Sequence, residues 1–201
     1  MKLYFKPGAC SLSPHIVLRE LGLQFELEKV DTKAGTTSSG ADFSKINPKG
    51  YVPTLQLDDG QFLTEGPAIV QYIADRKPEG KLAAAAGTFE RYKLAEWLNF
   101  ISTELHKTFS ILFNPKNPAE AKSIARDHLT RRYGNIEAQL AKTQFLLGDQ
   151  FTAADAYLFT VSRWTKPVDF SLAAFPKLEA YRAKIAQRPA VKAAMEAEGI
   201  S

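Results

Sequence analysis

The chain has 201 residues and a formal net charge of +4, with 45% hydrophobic and 24% charged residues. That is the balance of a globular protein, with room for one large domain or two small ones, each with its own core. No apolar run approaches the roughly 18 residues of a membrane helix, and Lys and Arg are scattered among acids rather than gathered with aromatics, which argues against membrane and nucleic-acid partners.

The mild positive charge favours small anionic ligands. The single cysteine, Cys10, cannot form a disulfide within the chain. Pro7-Gly8 interrupts the first residues too early for a signal-peptide core, so the expectation is a cytoplasmic protein.

Residues 2–6 read as a strand closed by Pro7-Gly8. Ser13 offers an N-cap hydroxyl and Pro14 suits a first helical position, where its missing N–H costs nothing. Ile16, Val17, Leu18 and Leu21 make that helix largely buried, and Gly22 ends it. Leu23, Phe25 and Leu27 alternate with polar residues through a second strand to Asp31. Residues 33–40 are small and polar and read as a mobile loop. Asn47-Pro48-Lys49-Gly50 is a turn, residues 54–57 a strand, and Asp58-Asp59-Gly60 a tight hairpin into residues 61–63. After Glu65-Gly66, Pro67 opens a helix over 68–75. The order βαβ-ββα predicts an α/β domain over residues 1–77, a four-stranded mixed sheet covered by helices in a thioredoxin-like arrangement.

Residues 76–87 are charged and Pro/Gly-bearing, then alanine-rich, and mark a domain junction. Residues 88–201 predict an all-α helical bundle. Leu94, Trp97, Leu98, Ile101, Leu105, Phe109 and Leu112 form one apolar face of a long helix. Asn117 can cap, and Pro118 start, a second long helix carrying Ile124, Leu129, Tyr133, Ile136 and Leu140. Thr152 and Asp155 form a capping box, and Pro176 and Pro189 punctuate two later helices.

Cys10 sits in the turn before a helix start, where amides and the helix dipole favour a thiolate. The alternative is a buried, inert cysteine. Cys10-Ser11-Leu12-Ser13 has a serine where a dithiol motif carries its second cysteine, so redox exchange at Cys10 needs an external thiol. Glu65 at a helix start is favoured by the dipole whether or not it binds a ligand. At about 100° per residue, Asn99, Thr103, His106 and Ser110 share a stripe opposite the apolar face, either a solvated face or a site. His15 and His128 read as structural. The sequence shows no metal-ligand cluster, phosphate-binding glycine loop or Ser-His-Asp signal.

The whole chain resembles the bacterial beta-class glutathione transferases. The resemblance is carried by residues 7–12 (Pro-Gly-Ala-Cys-Ser-Leu), 47–53 (Asn-Pro-Lys-Gly-Tyr-Val-Pro), 63–66 (Leu-Thr-Glu-Gly), 99–107 and 151–157 (Phe-Thr-Ala-Ala-Asp-Ala-Tyr). It implies a homodimer that binds glutathione as co-substrate in each subunit and uses no metal. Cys10, Tyr51, Val52, Pro53, Glu65 and Gly66 would hold glutathione, with a cis Val52-Pro53 bond turning the Val52 backbone to its cysteinyl part. Asn99, Thr103 and Glu104 would reach the glutathione of the partner subunit, and His106 and Lys107 would lie near the sulfur of their own site. There a neutral His106 can accept a proton or hydrogen-bond a thiolate, and Lys107 can stabilise the anion. Related members often carry lysine where Gly35 stands, available to the glycyl carboxylate, and Lys33 is the candidate substitute.

The activity this implies is conjugation of the glutathione thiolate to small electrophiles, halogenated aromatics among them. Glutaredoxin-like exchange, or reductive dehalogenation through a Cys10–glutathione disulfide, is the second reading. The third is a non-catalytic binding protein with Phe109, Phe113 and Trp164 lining an apolar cleft.

Overall fold

The structure is a computed structural model and describes residues 1–200. The N-terminal half runs β1 (Lys2–Phe5), α1 (Leu12–Glu20), β2 (Glu26–Asp31), β3 (Thr36–Thr37), β4 (Thr54–Gln56), β5 (Phe62–Thr64) and α2 (Gly66–Asp75). The sheet order is β3-β2-β1-β4-β5. Only β1 and β2 pair in parallel, as a crossover through α1 requires, and the other pairs are antiparallel. The α/β expectation therefore holds, with one strand more than the sequence suggested. Within the segment read as a mobile loop, Thr36 and Thr37 pair with Asp31 and Val30, and Thr37 is buried. Glu28 secures the turn beyond them by accepting from the Ser38 hydroxyl and the Ser39 amide at 2.8 Å each.

The second half is helical: α3 (Phe89–Phe100), α4 (Lys107–Phe113), α5 (Ala119–Leu140), α6 (Ala153–Ser162), α7 (Pro176–Ala186) and α8 (Pro189–Glu198). Helices α3 and α4 are one continuous rod joined by a π-helical segment, Ile101–His106, in which the Lys107 amide reaches back five residues to the Ser102 carbonyl. The apolar face read from the sequence is buried at Leu94, Leu98, Ile101, Leu105, Phe109 and Leu112. On α5 the reading fails at Ile124, which is 62% exposed while Ala125 is buried in its stead.

Two helix starts differ from expectation. Helix α1 begins at Leu12, and the Ser13 hydroxyl caps no amide. It donates instead to the Cys10 carbonyl at 2.9 Å, the acceptor that Pro14, lacking an N–H, cannot serve. Helix α5 begins at Ala119 without a side-chain cap, because the Asn117 amide donates back to the Ile111 carbonyl at 2.9 Å.

The halves do not keep separate cores. One apolar cluster runs from Leu3 and Ile16 through Ile73 to Tyr157, Leu158 and Val191, and α1 packs on both α6 and α8. Helix α6 is buried along its whole length, as expected of a helix that is apolar on every side. Its first turn is held by the fully buried Asp155, which accepts from the Thr152 amide and hydroxyl (2.8 Å each), the Leu146 amide (2.9 Å) and the Tyr181 hydroxyl (2.8 Å). Burial pushes the Asp155 carboxyl up, and these donors pull it back toward the charged form. No helix among the described residues is long and apolar enough to cross a membrane.

Asp155→Ala strands two buried amides and two hydroxyls, and is expected to cost about 3 kcal/mol of stability in urea denaturation. Asp155→Asn, which keeps one acceptor oxygen, should lose less.

Candidate active site

Cys10 lies between β1 and α1 in a turn tied at both ends. The Ala9 amide donates to the Lys6 carbonyl at 3.1 Å, and the Leu12 amide to the Ala9 carbonyl at 3.0 Å. Gly8, at φ +69°, lets the chain reverse. Both polar groups of Gly8 are held by the helical half: its N–H by Glu198 Oε2 and its carbonyl by Trp164 Nε1, each at 2.9 Å. The other Glu198 oxygen lies 2.9 Å from Nδ1 of the buried His15, and Arg19 Nε donates to His15 Nε2 at 2.8 Å. His15 is thus structural. His128 is too, paired with Glu104 at 3.3 Å.

The turn does not make a thiolate of Cys10. Burial pushes the thiol up to about 12, outweighing the Cys10 and Ser11 amides that pull it down. The half-buried thiol donates to the Val52 carbonyl at 3.2 Å, a bond available only to the protonated form. The expected helix-start activation is real in sign and too small. The Val52-Pro53 bond is cis, as the resemblance implied.

Glu65 precedes α2 at φ +69°, a conformation uncommon outside glycine. Its Oε1 accepts from Lys49 Nζ at 2.7 Å and Tyr51 Oη at 2.6 Å. These hydrogen bonds, Lys49's first, hold the carboxyl below its usual value, so Glu65 is an anion at neutral pH. The segments meet in a cleft of about 370 Å³, with Cys10, Val52, Pro53, Glu65 and Gly66 on one wall and Ser102, His106, Lys107, Ser110 and Tyr157 on the other. Burial, then the neighbouring Lys107, pushes His106 down to about 4, so it is neutral. Its Nδ1 lies 2.6 Å from the Tyr157 hydroxyl. The Trp164 ring meets it edge-on at 4.7 Å and continues into Phe109 and Phe113, each 5.8 Å from Trp164. A larger cleft of about 780 Å³, beside Leu94, Trp97 and Leu147, is lined by no cysteine and no histidine. Chemistry therefore selects the smaller one.

Comparison with known proteins identifies the family. Residues 8–76 match the family model "Glutathione S-transferase, N-terminal domain", and residues 100–189 match its C-terminal domain. Glutathione S-transferase GstA of Escherichia coli O157:H7 is 46% identical over 200 residues, covering 100% of both chains. The chain belongs to the glutathione S-transferase family. The structure of BphK, a bacterial glutathione transferase in a ternary complex, is 55% identical, with TM-score 0.98 and 100% of both chains covered. Two sphingomonad structures, one complexed with glutathione and one described as the bacterial beta class of Sphingomonas chungbukensis, are 47% and 46% identical. Each has TM-score 0.96 and covers 100% of both chains. Within the family, the chain is of this beta class.

For a glutathione S-transferase site, the sequence-predicted residues fall into two groups. Cys10, Tyr51, Val52, Pro53, Glu65, Gly66, His106 and Lys107 line one cleft. Lys33 is exposed in the β2–β3 turn and is not among the lining residues. Asn99 and Thr103 are exposed and one turn apart, with the Thr103 hydroxyl donating to the Asn99 carbonyl at 3.0 Å. Glu104 is paired within its own chain, 2.5 Å from Arg132 Nε.

Lys49, Ser102 and Tyr157 were not singled out from the sequence. Lys49 and Tyr157 stand in segments that carry the family resemblance. Ser102 was hidden by the π-helical turn, which rotates it into the cleft and takes Thr103 out of it.

In the protein without added glutathione, Cys10 should react with iodoacetamide at pH 8 about a hundredfold more slowly than an ordinary free thiol, with the rate still climbing at pH 10. A rate matching free cysteine would mean the thiolate is present after all.

Proposed function

We propose that this protein conjugates glutathione to small apolar electrophiles, halogenated aromatics among them. The reading rests on one juxtaposition: Cys10, the cis Val52-Pro53 bond, ionised Glu65 and neutral His106 all face a single cleft. Each has a counterpart in glutathione. The α-ammonium suits the Glu65 carboxylate, and the α-carboxylate suits the amides at the start of α2 beside Gly66. The cysteinyl backbone would lie along Val52-Pro53, which brings its sulfur toward Cys10, His106 and Lys107. Lys107 adds positive charge there, and the aromatic group of Phe109, Phe113 and Trp164 offers an apolar seat for the electrophile.

In the reaction the thiol proton passes to solvent and the thiolate attacks the electrophilic carbon. A carbon–sulfur bond forms and the carbon–halogen bond breaks, the halide leaving with its electron pair. Electrostatic lowering of the thiol pKa and alignment of the two substrates are what the protein contributes.

A homodimer belongs to the same reading. Asn99 and Thr103 are exposed on a rod that also exposes Phe89 (73%) and Tyr92 (65%), an apolar and polar surface suited to a second copy. Glu104 would then meet the partner's glutathione only by giving up Arg132. Thiol–disulfide exchange through Cys10 is the second reading. The protonated state of Cys10 weighs against it as a fast nucleophile and leaves the attack to the sulfur of glutathione itself.

With glutathione and chlorodinitrobenzene the protein should turn over steadily, and no rate above the uncatalysed reaction would overturn the proposal. Cys10→Ala should keep most of that conjugation while abolishing any glutathione adduct seen by mass spectrometry. Glu65→Gln, which removes the charge facing the α-ammonium, should raise the KM for glutathione about tenfold with a smaller effect on kcat.

A further inference from the structure

The neutral imidazole of His106 carries one proton on one of two nitrogens, and the choice decides its chemistry. With the proton on Nδ1, Nε2 is a base; with the proton on Nε2, His106 is a donor and cannot take a proton at the cleft. Nδ1 lies 2.6 Å from the Tyr157 hydroxyl. Tyr157 is buried, and burial, reinforced by Cys10, raises its pKa and keeps the phenol protonated. Among the described residues the hydrogen bond of that hydroxyl is the one to His106 Nδ1, so the phenol proton points at His106. The imidazole ring is wedged edge-on against both Trp164 (4.7 Å) and Tyr157 (5.9 Å), which opposes a ring flip. Nε2 makes no hydrogen bond to the described residues and is not among their buried unpartnered atoms, so it opens to the cleft.

We propose that Tyr157 is a positioning residue that fixes His106 with its proton on Nε2, so that His106 donates a hydrogen bond to the glutathione sulfur and does not act as its base. This rests on the glutathione reading above. The chain of donors is Tyr157 to His106 to thiolate, each proton pointing toward the developing anion. The thiol proton leaves to solvent before attack and is not stored on the protein. Of the charged and titratable groups facing this point, Cys10 comes from the β1–α1 turn, Glu65 and Tyr51 from the segments around β4 and β5, Lys107 from the rod itself, and Tyr157 from α6. Only His106 presents a neutral nitrogen, and burial keeps it so at neutral pH.

Two measurements test it. Nitrogen NMR of histidine-labelled protein, without glutathione, reads the tautomer directly. His106 should show a protonated Nε2 and a bare Nδ1, and Tyr157→Phe should give a mixture of the two forms. A protonated Nδ1 in the wild type overturns the proposal.

The second measurement titrates the ultraviolet band of enzyme-bound glutathione thiolate. His106→Ala and Tyr157→Phe should each raise its midpoint by about one pH unit. His106→Gln, which offers an amide donor and no basic nitrogen, should recover most of the loss. Adding Tyr157→Phe to His106→Gln should then shift nothing further, because a glutamine has no tautomer to fix. A Tyr157→Phe shift of equal size in the glutamine background would make Tyr157 merely structural, and a glutamine variant as impaired as the alanine one would make His106 a base. Either result overturns the proposal. If NMR shows the expected tautomer and the wild type gives no thiolate band, the glutathione reading fails and the donor role with it, while the tautomer assignment stands.

Discussion

A single buried carboxylate underlies the architecture. Asp155 gathers four donors at the start of α6 and so fixes where a wholly buried helix enters the core. Because α6 packs against α1, its placement sets the position of the helix that follows Cys10. Because α6 also carries Tyr157, the same carboxylate sets the far wall of the cleft. A helix apolar on all sides has no amphipathic stripe to define its rotation, so a directional polar anchor at one end does that work.

The site is assembled from weak preferences that oppose one another. Helix-start amides draw Cys10 toward the anion, and burial beside the Val52 carbonyl returns it to the thiol. Glu65 is the reverse case: exposed enough to keep its charge cheaply, with two donors on one oxygen to aim it. Placing a protonated thiol and an ionised carboxylate in one cleft suits a ligand that carries both an ammonium and its own sulfur.

Most of this fold is legible in the sequence because its signals are local. Turn residues bounded the strands around β1, β4 and β5, alternation pointed to β2, the i to i+4 spacing gave the buried face from Leu94 to Leu112, and Thr152 with Asp155 announced α6. What escaped depends on pairings that residue type alone does not announce. Thr36 and Thr37 form a strand only because the β2 edge is there to pair with, and Ser13 turns from cap to donor because Pro14 has no N–H to give the Cys10 carbonyl. Cys10, Glu65 and His106 could be named from type and position. Their protonation states could not, since these come from desolvation and neighbours that only the folded chain supplies. Ser102 was lost for a geometric reason: one inserted residue in the π-helical turn breaks the 100° count on which the stripe rested.

The clamp on Gly8 reaches across the whole molecule, since its N–H is held by a side chain 190 positions later. Closing a loop of that size is an entropic cost that only the finished core offsets. The Cys10 turn therefore has all its contacts only when Trp164 and Glu198 are in place. An N-terminal half by itself lacks both partners of the Gly8 backbone. Excising that half as an independent thiol-binding module would remove the very contacts that hold the corner, so this site belongs to neither half alone.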